Sequence, residues 1–321
     1  MLPYLLRRTL LLAASLLLAS AVLFVLLRLL PGDPANALLS VGATPEQIAA
    51  VRREIGSDRP LTEQFLSWLG RMAVLDLGTS FVSDLPVGPE ISARLVVTVP
   101  LTLLAFTVSL LVAVPVGFVA AHRPRSWYGA LLNGVSQLGV AVPVFWIGML
   151  LATVFSLHLR WLPAGGFPQD DWADPAGALA SLALPVATVA LVMSASLIRY
   201  VRSAALDVLD SDYLRTARAL GCSLPGAMWR HGLRNAAVPV VSVLGLELAT
   251  TFLGAVVVES VFALPGLGSM LVRAFAQHDY PVIQGVLVVG TLAVLLAGLL
   301  ADTAQRIIDP RLRDTAGGGR W

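Results

Sequence analysis

The sequence predicts an all-α integral membrane protein with six transmembrane helices and a small helical extracytoplasmic insertion. Three observations carry that reading. Of the 321 residues, 57% are hydrophobic and only 13% charged, against about 25% charged in an ordinary soluble domain. Six apolar stretches, 9–30, 96–121, 131–157, 179–201, 236–258 and 282–308, reach the ~20 residues that a helix needs to cross a ~30 Å hydrocarbon core. The basic residues between them, all 22 of them arginine, gather on one side of an alternating path.

The same composition excludes other classes. Disordered chains are poor in apolar residues, and this one is rich in them. The single cysteine, Cys222, leaves no disulfide framework and no multi-thiolate metal site. His122, His158, His231 and His278 never fall at ligand spacing, so no metal site is expected. The arginines lie between apolar segments, which marks a lipid bilayer rather than nucleic acid as the charged partner.

The first stretch follows Arg7 and Arg8, and Ala19-Ser20-Ala21 resembles a cleavage site. Its apolar run continues to Leu30, too long for a signal-peptide core, so a retained helix is expected. With alternating spans, Arg7, Arg8, Arg123, Arg125, the arginines from Arg199 to Arg234, and those from Arg306 onward share one side. They are 14 of the 22, and the excess marks that side as cytoplasmic. Both termini are then cytoplasmic.

The chain divides into 1–30, an N-terminal segment with the first span; 31–95, an extracytoplasmic helical insertion; 96–308, a five-helix core with a cytoplasmic loop at 202–235; and a tail at 309–321. In the insertion, Thr44-Pro45-Glu46-Gln47 reads as an N-cap, a proline at the first helical position and a capping-box glutamine. Gly56 stops that helix. A second amphipathic helix at 61–74 places Phe65, Leu66, Leu69 and Met72 on one face, with Trp68 suited to a membrane interface or a helical cap.

The cytoplasmic loop reads DVLDSDYLRTARALGCSLPGAMWRHGLRNAAVP. Ser211 or Asp212 can cap a short helix through Tyr213, Leu214, Arg215, Thr216, Ala217, Arg218, Ala219 and Leu220, and Gly221 supplies a left-handed stop. Ser223 caps a following helix. Tyr213, Ala217 and Leu220 stand at i, i+4, i+7 and form an apolar stripe that needs cover. Two readings are open: a helix lying on lipid headgroups, or one inserted into a groove of a cytoplasmic partner.

Pro115, Pro143, Pro185 and Pro239 lie inside apolar stretches, where each removes a backbone hydrogen bond. Neighbouring helices can re-satisfy the freed carbonyls, so kinks are not obligatory. Glu247, beside Thr250 and Thr251, is an intramembrane carboxylate, expensive and seldom turned to lipid. It either lines a polar path or holds a helix–helix hydrogen bond.

The loop motif Tyr213-x-Arg-Thr-Ala-Arg-Ala-x-Gly221 resembles the cytoplasmic loop of ABC importer permeases of the dipeptide/oligopeptide/nickel family. Arg215-Thr216-Ala217 stands where the general motif has Glu-Ala-Ala. Similar agreement extends over nearly the whole chain. It includes Arg28 to Pro34, Asp76-Leu77-Gly78-Thr79-Ser80 and Trp161-Leu162-Pro163-Ala164-Gly165-Gly166. It continues through Glu259 to Gly268, Asp279-Tyr280-Pro281-Val282 and Asp309 to Arg313. The long loop after the first span resembles the family's first-permease type.

The resemblance implies an ABC importer type I permease fold and a pathway-forming subunit rather than an enzyme, translocating di- or oligopeptides or related small solutes. No GxxxxGK[ST] phosphate loop occurs. ATP and Mg would be bound by two cytoplasmic ATPase subunits, reached through the helix from Tyr213 to Gly221. A second homologous permease and an extracytoplasmic solute-binding protein would complete the assembly. Glu247, Thr250 and Thr251 are the pathway-lining candidates. Two rival classes remain: a proton-coupled secondary transporter with Glu247 as carrier, and a membrane-embedded enzyme. No internal repeat or catalytic pair supports either.

Overall fold

The computed structural model describes residues 2–29, 44–122 and 126–308. In chain order the helices are α1 (Leu2–Leu29), α2 (Pro45–Ile55), α3 (Leu61–Ala73), α4 (Val87–His122), α5 (Trp127–Ala141), α6 (Val144–Leu151) and α7 (Pro175–Leu209). They continue as α8 (Asp212–Ala219), α9 (Leu224–Ala227), α10 (Leu233–Val261), α11 (Leu267–Gln277) and α12 (Tyr280–Ile308). Wider π-helical turns extend α6 over Ala152–His158 and join α9 to α10 over Met228–Gly232. Among the described residues, five helices are long and apolar enough to cross a membrane, and Val144–His158 forms a shorter apolar helix.

The third predicted span is where the expectation of six uninterrupted spans fails. Residues 131–157 are not one helix, because α5 ends at Ala141 and α6 begins after Pro143. Pro143 takes an extended backbone, φ −60° and ψ 135°. Its ring excludes the preceding residue from helical geometry and it brings no N–H to the ladder. By contrast Pro115, Pro185 and Pro239, together with Pro100, stay within continuous helices.

The chain forms two compact units. One comprises residues 1–99 and 264–295, the other 100–263 with 296–321. In the first, the insertion helices form as their caps predict. Thr44 accepts from the Gln47 amide while the Gln47 side chain accepts from the Thr44 amide, and Gly56 closes α2 at φ +70°.

The expected face of α3 is found in part, since Phe65 and Met72 pack inward and Leu69 is half-buried, but it is rotated. Its buried residues are Gln64 and Trp68, whereas Leu66 is exposed. Phe24 of α1 explains the rotation, since its ring lies 5.3 Å from Phe65 and 5.8 Å from Trp68. Leu23, Met72 and Val288 complete the cluster. Each such aromatic pair adds about 0.5–1.5 kcal/mol beyond its buried area, so Trp68 anchors α3 to the first span instead of sitting at an interface. The Gln64 amide is buried with it and donates to the carbonyls of Ser57 and Arg59.

In the second unit, α7 is the most buried of the spanning helices. It packs on α10, α5 and α6. A cluster of Ala113, Met193, Leu197 and Ile198 fills the α4–α7 contact. The loop after α6 is fastened by Gly166, whose amide donates to the Phe262 carbonyl at 2.8 Å. A Cβ at Gly165 would lie 2.3 Å from that same oxygen, so only glycine lets the two backbones approach.

Candidate coupling helix and polar seams

Helix α8 is only eight residues long, too short to persist in water without tertiary support. Its ends show how the loop is held. Ser211 occupies the N-cap position, but its hydroxyl donates back to the Val208 carbonyl and does not cap α8. Neither Ser211 nor Asp212 therefore supplies the side-chain cap that the sequence suggests. Asp212 instead sits in the first turn, where a negative charge complements the helix dipole. It also pairs with Arg215 at 3.2 Å, with both groups exposed. Such a pair contributes little.

The C-terminus is more specific. Gly221 has φ +90°, its amide donates to Arg218, and the Cys222 amide donates to Ala217. These two bonds are the Schellman arrangement, in which a left-handed residue lets the chain reverse and satisfy the last carbonyls.

The stripe expected from spacing is divided by the structure. Ala217 is only 9% exposed and Leu214 only 1%. Both pack within the chain on a seat of Val208, Ala227, Met228 and Ala236, with Phe118, Leu209 and Leu224 around it. Tyr213 and Leu220 are 41% and 82% exposed. With exposed Thr216 between them, they form the outward stripe at i, i+3, i+7. Arg215, Arg218 and Ala219 are exposed as well. The helix is thus seated by one face and presents a second, mixed apolar and basic face.

The intramembrane acid lies elsewhere in the same unit. The Ser196 hydroxyl of α7 donates to Glu247 of α10 at 2.7 Å. This is the interhelical hydrogen bond that the sequence allowed as one of two readings. The hydroxyls of Thr250 and Thr251 donate to the Glu247 carbonyl, and the Thr251 hydroxyl also lies 2.9 Å from the Met193 sulfur. Thr251 is buried, Glu247 half-buried and Thr250 exposed. Ser196 was not singled out by sequence, and a lone serine in an apolar run gives no signal of its partner.

A second seam ties the first unit. Asp279 and Ser80 are both buried and hydrogen-bonded to each other, and the Phe81 amide donates to the other Asp279 oxygen at 3.1 Å. The Ser80 hydroxyl in turn accepts from the amides of Val82 and Ser83. The stretches Asp76 to Ser80 and Asp279 to Val282, noted separately in the sequence, are therefore one structural feature. Beside it lies a polar cavity of about 540 Å³, with Arg28, Arg71, Thr79, Asp84 and Gln284 in its wall.

Comparison with known proteins agrees over nearly the whole chain. Residues 113–314 match the family described as the binding-protein-dependent transport system inner membrane component, and residues 1–102 match that system's N-terminal membrane component. A protein of Brucella abortus, assigned by name to a peptide transport system as its permease, is 40% identical over 298 residues, covering 92% of this chain and 94% of the relative. The glutathione transport system permease protein GsiC of Salmonella typhimurium is 38% identical over 313 residues, covering 98% and 99%. A chain of the MetNI methionine ABC transporter, solved in inward-facing conformations, has a similar fold. Its TM-score is 0.56 at 15% identity, covering 68% of this chain and 96% of that one. This chain belongs to the family of inner membrane permease components of binding-protein-dependent ABC transport systems.

Proposed function

We propose that this chain is one half of the translocation pathway of an ATP-driven importer for short peptides, glutathione-like tripeptides included. The substrate class rests on the peptide and glutathione systems to which relatives of about 40% identity are assigned. A second, homologous permease completes the pathway. Two cytoplasmic ATPases supply the energy, and a solute-binding protein delivers cargo from outside. Both termini face the cytoplasm, and α5 with α6 crosses the membrane as one broken span.

The observation that carries the mechanism is the two-faced α8. Leu214 and Ala217 fix it to the ends of the spans, while Tyr213, Thr216 and Leu220 stand outward. A helix held on one side and docked on the other transmits a rigid-body movement. Burying the outward leucine in an ATPase cleft contributes about 1.5–3 kcal/mol, and the tyrosine, already more than half covered, contributes less. The exposed arginines orient the joint.

Uptake of labelled dipeptides, oligopeptides and glutathione, in a bacterium lacking this chain and complemented with it, tests the substrate class. Restored uptake of at least one is expected. A complemented strain that imports none of them, while restoring another solute, overturns it.

A further inference from the structure

Beside the seat of α8 lies a groove of about 480 Å³ whose wall is almost wholly apolar. Val114, Pro115, Phe118 and Val119 of α4 line it together with Leu224 and Met228. Trp229, in the π-helical turn between α9 and α10, also lines it and is 78% exposed. An indole with one apolar and one polar edge is enriched at the boundary between hydrocarbon and water. Exposed Arg230 and His231 follow it, and His122, the last residue of α4, also lines the groove.

We propose that this groove binds one acyl chain of a membrane phospholipid, with the headgroup lying beside Trp229, Arg230 and His122. Three features favour a lipid over a protein segment. The groove runs on from the exposed apolar flank of α4 at Leu111, Val112 and Val119, the surface that a spanning helix offers to hydrocarbon. Of its lining residues only His122 and Trp229 carry a side-chain nitrogen, so the lining offers hydrocarbon contact to an acyl chain and polar contact to a phosphate. It also ends where α4 ends, at His122, so a chain entering from the bilayer meets it without leaving the hydrocarbon layer.

The site has a consequence for coupling. Phe118, Leu209, Leu224 and Met228 line the groove and also pack into the seat that holds Leu214 and Ala217. The acyl chain therefore buttresses α8 from behind. That consequence rests on α8 being the docking helix. The presence of the lipid does not.

The test uses the assembled transporter, purified from nanodiscs of phosphatidylethanolamine and phosphatidylglycerol. With p-benzoylphenylalanine in place of Trp229, illumination should join phospholipid to this chain. Val119→Trp and Val114→Phe each fill the groove, and each should remove one retained phospholipid from the native mass spectrum. Both should also raise the ATP hydrolysed per solute imported. A cross-link to another protein subunit, or no lipid adduct at position 229, overturns the site, as does unchanged lipid retention in both variants. Loss of the lipid with unchanged coupling leaves the site standing and refutes only the role of α8.

Discussion

At the scale of single residues, the polar atoms buried in this apolar chain are used to fasten segments remote in sequence. Asp279 accepts from Ser80 and from the Phe81 amide, joining positions about 200 residues apart. Removing the carboxylate takes the acceptor from the buried Ser80 hydroxyl and the half-buried Phe81 amide, and hydrogen bonds to a charged group contribute about 1.5–3 kcal/mol each. Asp279→Ala should therefore lower the thermal midpoint of the purified complex clearly, and Ser80→Ala should lower it too, because it strands the Val82 and Ser83 amides as well as one Asp279 oxygen. An Asp279→Ala complex that melts with the wild type would show that the seam contributes nothing. Glu247 gives a sharper functional contrast. Its carboxylate accepts from Ser196 across α7 and α10, a role that Gln fills with its amide oxygen. Glu247→Gln should thus retain ATP-driven uptake, while Glu247→Leu strands the Ser196 hydroxyl and lowers stability. Lost uptake in a stable, fully assembled Glu247→Gln transporter would point to a proton step and revive the secondary-transport mechanism.

At the scale of elements, α8 shows both the reach of sequence reading and its limit. The left-handed closure at Gly221 was legible because few residues other than glycine adopt that conformation at low cost. The capping box at Thr44 was equally legible, since both of its partners lie within four residues. The stripe of α8 was not. Spacing says which side chains share a face, but Ala217 and Leu214 face their own chain while Tyr213 and Leu220 face outward, and only tertiary contacts decide between them. Trp68 was left between a membrane interface and a helical cap for the same reason: the partner that decides for helix packing, Phe24, lies 44 positions away. The correction changes which variants probe the joint. Ala217→Glu would push a charge into the seat of Val208 and Met228, so it should unseat α8 and act as a folding lesion. Leu220→Asp should leave the permease inserted and its thermal midpoint unchanged, yet lose ATPase subunits on purification. Gly221→Val should lose them too, because a β-branched residue disfavours the turn that aims the following helix. Full retention of the ATPases by Leu220→Asp, with normal transport, would mean that the outward stripe meets lipid and not a partner.

At the scale of the whole molecule, the apolar stretches, their order and the family were legible, but the continuity of the third stretch was not. Proline inside an apolar run breaks a helix at 143 and is absorbed at 115, 185 and 239, and the local sequence does not distinguish these outcomes. Orientation follows from arginine placement. The positive-inside bias is counted over short loops near the span ends, and the orientation proposed from it has 202–235 on the cytoplasmic side and 31–95 outside. One broken span at 127–158 keeps that alternation intact. If α5 and α6 instead left and re-entered on the same face, every element after Ala141 would change sides and α8 could not reach an ATPase. Two cysteine positions separate the alternatives once Cys222 is replaced by serine. A cysteine in place of Gln47, on exposed α2, should react with an impermeant thiol reagent applied outside intact cells. A cysteine in place of Thr216, on the outward face of α8, should react only after the membrane is opened and the ATPase subunits are stripped from it. Labelling of both from outside would refute the broken span and place α8 away from the cytoplasm. Protection of both would refute the orientation of the insertion, and with it the docking of a binding protein on that side.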